Sequence, residues 1–291
     1  MLSTEIIKQI ESFVQQQPRT VQEIALILEK NWRTADSYVQ KIILERGTIG
    51  VRTFREGSRG ALKIVYWNAG EKISSTGAQD KLSSQIIQGR RKSDFSPFDI
   101  YQHVTEEKRE AFILTAEEQN VQTPDFPELL QSAQEQILFF SGNLSWINVT
   151  YPKNDGKYRE KEKKNALALL EELAKRNISL KILTRIELPG MQNILEVEAI
   201  NLRLGKEVIE IRHAHQPLRG FIVDDALVRL KEVKNPEEFK TGELEKVTHI
   251  FYTLHDKEWV EWTKKVFWQM FRTAIPVRKR ISDLQTVNNG V

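Results

Sequence analysis

The sequence predicts a mixed α/β protein: an N-terminal α+β unit, then a polar connector, then a larger α/β domain. Two observations predict it. Residues 1–68 read as three short amphipathic helices followed by two strands around a Gly-rich tip. From about residue 124, short apolar strands alternate with amphipathic helices, the pattern of a sheet packed by helices. A length of 291 residues suits two cores. The expected boundaries are 1–68, a linker with a connecting helix over 69–123, an α/β domain over 124–275, and a basic polar tail over 276–291.

In the N-terminal unit, Ile6, Ile10, Phe13 and Val14 share one face of a helix over 3–17, which Pro18 ends. Thr20-Val21-Gln22-Glu23 has capping-box form and opens a short second helix with Val21, Ile24 and Leu28 inward. Asn31 and Trp32 interrupt the pattern. A third helix is expected over 33–45, stopping at Gly47. Its Val39, Ile42 and Ile43 turn inward, which leaves Arg33, Thr34, Asp36, Ser37, Gln40 and Lys41 outside. Strands over 48–55 and 61–67 flank Glu56-Gly57-Ser58-Arg59-Gly60, a flexible tip with a central Arg. This order is that of a winged helix-turn-helix, whose third helix enters the major groove of double-stranded DNA while the hairpin lies along the backbone. Arg33 and Arg59 suit phosphate or a guanine edge, and Gln40 a base edge. Residues 1–68 hold 10 Lys/Arg against 7 Asp/Glu and so carry the whole formal excess of +3.

In the connector, Ser74-Ser75-Thr76-Gly77 reads as a flexible joint and Leu82, Ile86 and Ile87 as a short helix before the basic run Arg90-Arg91-Lys92. The apolar bulk from Phe95 to Tyr101 reads as an anchor, and 104–119 as an acidic amphipathic helix. In the second domain, strands are expected over 136–141, 178–184, 208–212, 220–223, 227–231 and 247–254. Helices are expected over 126–135, 158–176 and 191–204, with a last aromatic helix capped by Asp256. The tail from Pro276 reads as polar and frayed.

The second domain turns on Arg212-His213-Ala214-His215-Gln216-Pro217-Leu218-Arg219-Gly220-Phe221-Ile222-Val223-Asp224-Asp225. This stretch resembles the motif of the phospholipase D superfamily, in which a His, one spacer, a Lys, four spacers and an Asp follow in a row. Aligning Asp224 with the motif Asp puts Arg219 at the Lys position and Pro217 at the His position. The resemblance thus implies a phospholipase D-like fold without its nucleophile, in which Arg219 retains the capacity to hold an anion. A winged helix, a connector and a degenerate domain of this kind together resemble the archaeal TrmB family of transcriptional regulators. That resemblance implies a dimeric regulator whose second domain serves dimerisation or effector sensing.

The candidate effector residues are His215, Arg219 and Asp224. The bland alternatives stand beside them: His213 and His215 satisfying hydrogen bonds at a strand end, and Asp224-Asp225 forming a hairpin turn. No catalytic residue and no cofactor is expected. His213, His215 and Asp224 make only a partial metal-ligand set, so no metal site is expected either. Two other function classes remain open: a DNA-targeted nuclease or phosphodiesterase using His215 with Arg219, and a winged-helix adaptor that binds only protein. With no cysteine, no signal pattern and no apolar run long enough for a bilayer, a cytoplasmic protein without membrane attachment is expected.

Overall fold

The computed structural model describes residues 2–55, 61–67, 75–116, 122–148, 150–151, 164–238 and 246–289. Helix α1 (Thr4–Gln16) is capped by Ser3 and buries Ile7, Ile10 and Val14; Ile6 and Phe13 flank that face. A two-residue strand, β1 (Arg19–Thr20), leads into α2 (Val21–Ile27) through the expected capping box: the Glu23 amide donates to the Thr20 hydroxyl at 3.1 Å, and the Thr20 amide to the Glu23 carboxylate at 2.7 Å. Helix α3 (Trp32–Arg46) starts one residue earlier than the hydrophobic period suggested, because Asn31 is its N-cap rather than a break. It ends at Gly47, whose φ of 64° is a conformation glycine adopts without strain. Strands β2 (Ile49–Arg55) and β3 (Ala61–Trp67) pair antiparallel, and β1 adds to the far side of β3. The tip between them, residues 56–60, lies outside the described residues.

The connector departs from its sequence pattern in two places. Residues 75–77 begin α4 (Ser75–Gln88) instead of forming a joint, because Ala78, Leu82 and Ile86 bury against the C-terminal domain, and the Trp262 indole donates to Ser83 at 3.1 Å. Packing overrides the local turn preference there. The anchor expected over Phe95 to Tyr101 contains α5 (Phe98–Tyr101), in which Phe98, Ile100 and Tyr101 are buried. The predicted acidic helix over 104–119 is instead a short 3₁₀ turn followed by β4 (Arg109–Ala116). Its partner is a strand more than a hundred residues later, a pairing no local period can report.

The C-terminal domain continues with α6 (Phe126–Gln131), β5 (Gln136–Phe140), the short pair β6 (Thr150–Tyr151) and β7 (Lys164–Asn165), α7 (Ala166–Lys175) and β8 (Ser179–Thr184). Then come α8 (Met191–Leu204), β9 (Ile209–His213), β10 (Gly220–Val223), β11 (Leu227–Lys234), β12 (Val247–Leu254), α9 (Lys257–Thr273), β13 (Ile275–Pro276) and α10 (Val277–Asn289). The front part of the helix expected over 158–176 falls outside the described residues up to 163. The tail is a correction: α10 is a helix whose Val277 is buried and whose Ile281 and Leu284 pack at spacings of four and three.

Eight strands form one mixed sheet in the order β13-β9-β8-β5-β10-β11-β12-β4. Strands β5, β8 and β9 are parallel neighbours, and the remaining pairings are antiparallel. Alternate residues of each strand face opposite sides. One side carries Phe126, Leu170, Val197 and Val277 from α6, α7, α8 and α10. The other meets α9, α4 and α5, and into this same core the hairpin of the winged helix inserts Phe54 and Ile64. Phe98 is the centre of that contact. Its ring lies 6.4 Å from Phe54, 5.4 Å from Tyr66, 5.8 Å from Tyr101 and 6.2 Å from Tyr252. Phe98→Ala is expected to cost about 3–5 kcal/mol of stability, read from the denaturant midpoint, and to loosen the winged helix from the sheet, read as faster protease cleavage between the two.

Candidate nucleic-acid interface and effector cavity

Helix α3 is held by its buried residues Ala35, Val39 and Ile42, and this fixes what it presents outward. Arg33, Ser37 and Lys41 are exposed at spacings of four, which places them in one row along the helix. Gln40 is half-buried beside that row. Two predicted residues have work inside the domain. The Thr34 hydroxyl donates to the Asn31 side chain at 3.0 Å, within the N-cap. Asp36 receives the Lys63 ammonium on both carboxylate oxygens, at 2.8 and 2.7 Å, and so ties α3 to β3. Arg59 lies outside the described residues. Arg33 and Lys41 thus offer two cations on one exposed face, with Ser37 and Gln40 as neutral hydrogen-bonding groups, a set suited to phosphate and base-edge contacts.

The predicted effector residues do not come together. Asp224 and Arg219 sit at opposite ends of β10. Asp224 adopts a φ of 46° in the β10–β11 hairpin turn, and its carboxylate accepts from the backbone amides of Gln134, Glu135 and Gln136 at 2.8, 3.0 and 2.7 Å. It stops the chain after α6 and starts β5. His215 is exposed and meets the edge of His213 at 5.2 Å. His213 is buried, with Nδ1 accepting from the Ile186 amide at 2.8 Å. Pro217, at the position of the motif His, is buried against Gly89, where a Cβ would come within 2.8 Å of the Pro217 ring.

Arg219 alone of the three faces a cavity, of about 370 Å³, at the carboxyl ends of the parallel strands β5 and β8. Among the described residues that line it are five cations, Lys92, Arg185, Arg219, Arg229 and Lys231, and no carboxylate. Arg229 is anchored by Thr253, Thr123 and Asp125 at 2.7–2.9 Å. Arg219 donates to the carbonyls of Gln216 and Leu218 at 3.2 and 2.6 Å and lies flat on Gly142, where a Cβ would meet its Nε at 2.8 Å. Burial, helped by the nearby Arg185, pushes the Arg219 guanidinium down to about 10; burial alone pushes Lys231 down to about 8. Both shifts say that the site disfavours its own positive charges, which an anion would relieve. Trp146, stacked on Phe139 at 5.0 Å, adds an apolar wall.

Lys92, Arg219 and Lys231 also line an adjoining cavity of about 270 Å³ that reaches Arg19 and Glu23 of the winged helix. There Lys234 stands 3.9 Å from Glu23 and 3.3 Å from Glu232.

Sequence reasoning found Arg219 but missed Arg185, Lys92 and Lys231. A signal existed for one of them: Arg229 and Lys231 are charges at i, i+2 in the strand, so both point to one side of a sheet. The basic run Arg90-Arg91-Lys92 marks Lys92 as a charge but not as part of this cavity, and nothing local marks Arg185; the fold brings them in from the connector and from the end of β8.

Among the described residues, no helix is long and apolar enough to cross a membrane, and no group of His, Asp and Glu is arranged to hold a metal ion. No protein-family model matches the chain, and no curated protein sequence matches it. Among solved structures, the chain is similar to TrmBL2, described as an archaeal chromatin protein with a novel mode of DNA binding, at 15% identity and a TM-score of 0.40 over 95% of this chain and 94% of that one. It is similar to Nuc, a phospholipase D family member from Salmonella typhimurium, at 11% identity and a TM-score of 0.39 over 58% of this chain and 98% of that one. It is also similar to NucT from Helicobacter pylori at 12% identity and a TM-score of 0.35, over 58% and 98%. All three scores fall below 0.5, so the functional assignment rests on the chain's own residues.

His213 generates a pH prediction. Burial, then Arg280, pushes its imidazole from about 6.5 down to about 4. The neutral ring is favoured in the folded state, so its contribution is fully present above about pH 6.5 and is lost as pH falls toward 4. Urea midpoints of the protein are expected to fall between pH 7 and pH 4.5, with a shallower fall in His213→Gln.

Proposed function

We propose that the protein is a homodimeric transcriptional regulator that binds double-stranded DNA through the winged helix and senses a small anionic ligand in its C-terminal domain. The observation that carries the DNA reading is the exposed row of Arg33, Ser37 and Lys41 on a helix braced from behind by its core and from the side by the Asp36–Lys63 pair. A helix held this way presents its polar groups on a backbone that is already ordered. Arg59 falls in the sequence between β2 and β3. Arg33→Ala combined with Arg59→Ala is expected to weaken binding to genomic DNA fragments and to reduce the slope of log affinity against log salt by about 2. Fluorescence anisotropy across a salt series checks this; unchanged affinity and slope would remove both residues from the interface.

The sensing half rests on the cavity around Arg219. Its size suits a metabolite, its cations suit phosphate or carboxylate, and its Trp146 and Phe139 wall suits an apolar body. Lys92, Arg219 and Lys231 stand between this cavity and the winged helix, so an anion drawn to them alters the charge that faces Arg19 and Glu23. Inorganic phosphate is the simplest probe. It is expected to raise the melting temperature of the protein, by an amount equivalent to about 2.7 kcal/mol at a hundredfold excess over its Kd. Arg219→Met is expected to abolish the increase. An equal rise in the variant would move the anion site elsewhere.

A further inference from the structure

Leu44, in the last turn of α3, is the most exposed large apolar side chain among the described residues, at 84%. Isolated exposed leucines are ordinary on a protein surface. Leu44 differs by its place. Successive residues of a helix turn by about 100°, so Leu44 points about 160° away from Ile42 and about 180° away from Ala35, two of the residues that fasten α3 to its core. The same count puts it within about 20° of Arg33 and Ser37 and about 40° of Gln40. Arg33, Ser37, Gln40 and Leu44 therefore follow one another at spacings of four, three and four, the repeat of a single stripe along the helix. Leu44 stands in the middle of the face that α3 turns away from its own domain.

The neighbours of Leu44 on this face select its partner. Arg33 and Lys41 are exposed cations, and Ser37 and Gln40 are neutral groups that both donate and accept hydrogen bonds. Asp36 is turned to β3, where its carboxylate accepts from the Lys63 ammonium at 2.8 and 2.7 Å, so it adds no free negative charge. The complement of such a face is a polyanion with hydrogen-bonding edges. In the major groove of double-stranded DNA the bases present donors and acceptors, and the one apolar group among them is the 5-methyl of thymine.

We propose that Leu44 contacts the 5-methyl group of thymine in the major groove and so sets a preference for thymine at one position of the bound site. The proposal rests on the reading of α3 as the DNA-facing helix and names the base feature that one of its residues recognises. Contact between the leucine and the methyl takes apolar surface of both out of water. Adenine, guanine and cytosine lack that methyl and leave the leucine against a polar edge. Burial of one methyl corresponds to about fourfold in affinity. An apolar contact releases no counterion, so the contribution of Leu44 is independent of salt, unlike that of a cation on phosphate.

The probe is the tightest duplex that the protein selects from a random-sequence pool. Deoxyuridine then replaces its thymines one at a time, which removes the 5-methyl and nothing else. The unmodified protein is expected to bind about fourfold more weakly when the methyl at the Leu44 position is removed. Leu44→Ala is expected to bind the original duplex more weakly by at least that factor and to bind the thymine and deoxyuridine forms of that position equally, the signature of a coupled pair. Its salt slope and melting temperature are expected to match those of the unmodified protein, because the side chain lies outside the core. Unmodified protein that is indifferent to every thymine methyl overturns the proposal and leaves the DNA reading standing. A Leu44→Ala protein that still distinguishes thymine from deoxyuridine does the same. A pool from which no duplex is retained at low salt removes the DNA reading, and the role of Leu44 with it.

Discussion

The contact of Phe98 with rings from both parts of the chain is the constraint on which the rest depends. Phe54 and Tyr66 come from the hairpin of the winged helix, Tyr101 from the connector and Tyr252 from the centre of the large sheet. Aromatic groups at these separations contribute burial and ring-to-ring geometry together. The consequence is a shared core: the winged helix is not a bead on a string, and its hairpin packs on the sheet that carries the cavity. The Arg52–Glu106 pair at 2.9 Å and the Lys234–Glu23 approach continue this joint toward the surface.

The cavity gathers positive charge around Arg219. Pro217 occupies the place where the resemblance would put a histidine, and it is used as packing against the end of α4. Arg219 remains, and cations from three other segments gather round it without a carboxylate among the described lining residues. Gly142 permits this, since any side chain there would displace the guanidinium. Gly220 permits it in another way: its φ of 153°, and the 2.0 Å that would separate a Cβ from the Arg229 carbonyl, allow β10 and β11 to close tightly just beyond Arg219. The site is thus built by omission of side chains as much as by their presence.

Local chemistry was legible where a few neighbouring residues settle the outcome. Thr20 and Glu23 cap α2, Gly47 ends α3, Asp256 caps α9, and the bounds of β3, α8 and β12 follow from period and punctuation alone. Legibility failed where distant partners decide. Residues 109–116 carry a pattern that a helix or a strand can satisfy, and β12 selects the strand by offering eight residues of antiparallel pairing. Val277, Ile281 and Leu284 sit in a stretch otherwise polar, and only the open side of the second core makes them a helix face. Asp224 looked like half of a binding pair because it aligns with the motif Asp, five residues after Arg219 at the motif Lys position. The strand between them, however, puts them at opposite ends of β10, and there Asp224 meets three backbone amides.

The sequence by itself determined most element types, the caps, the order of a winged helix before an α/β domain, and the candidate face of α3. These follow from interactions between residues a few positions apart, which the chain spells out directly. Only the tertiary structure decided that the two parts share a core, that β4 and α10 belong to the C-terminal domain, and that Arg219 keeps company with Arg185, Lys92 and Lys231 rather than with His215 and Asp224. The physical reason is that burial and charge clustering act between surfaces, and a surface exists only after strands far apart in the chain have paired.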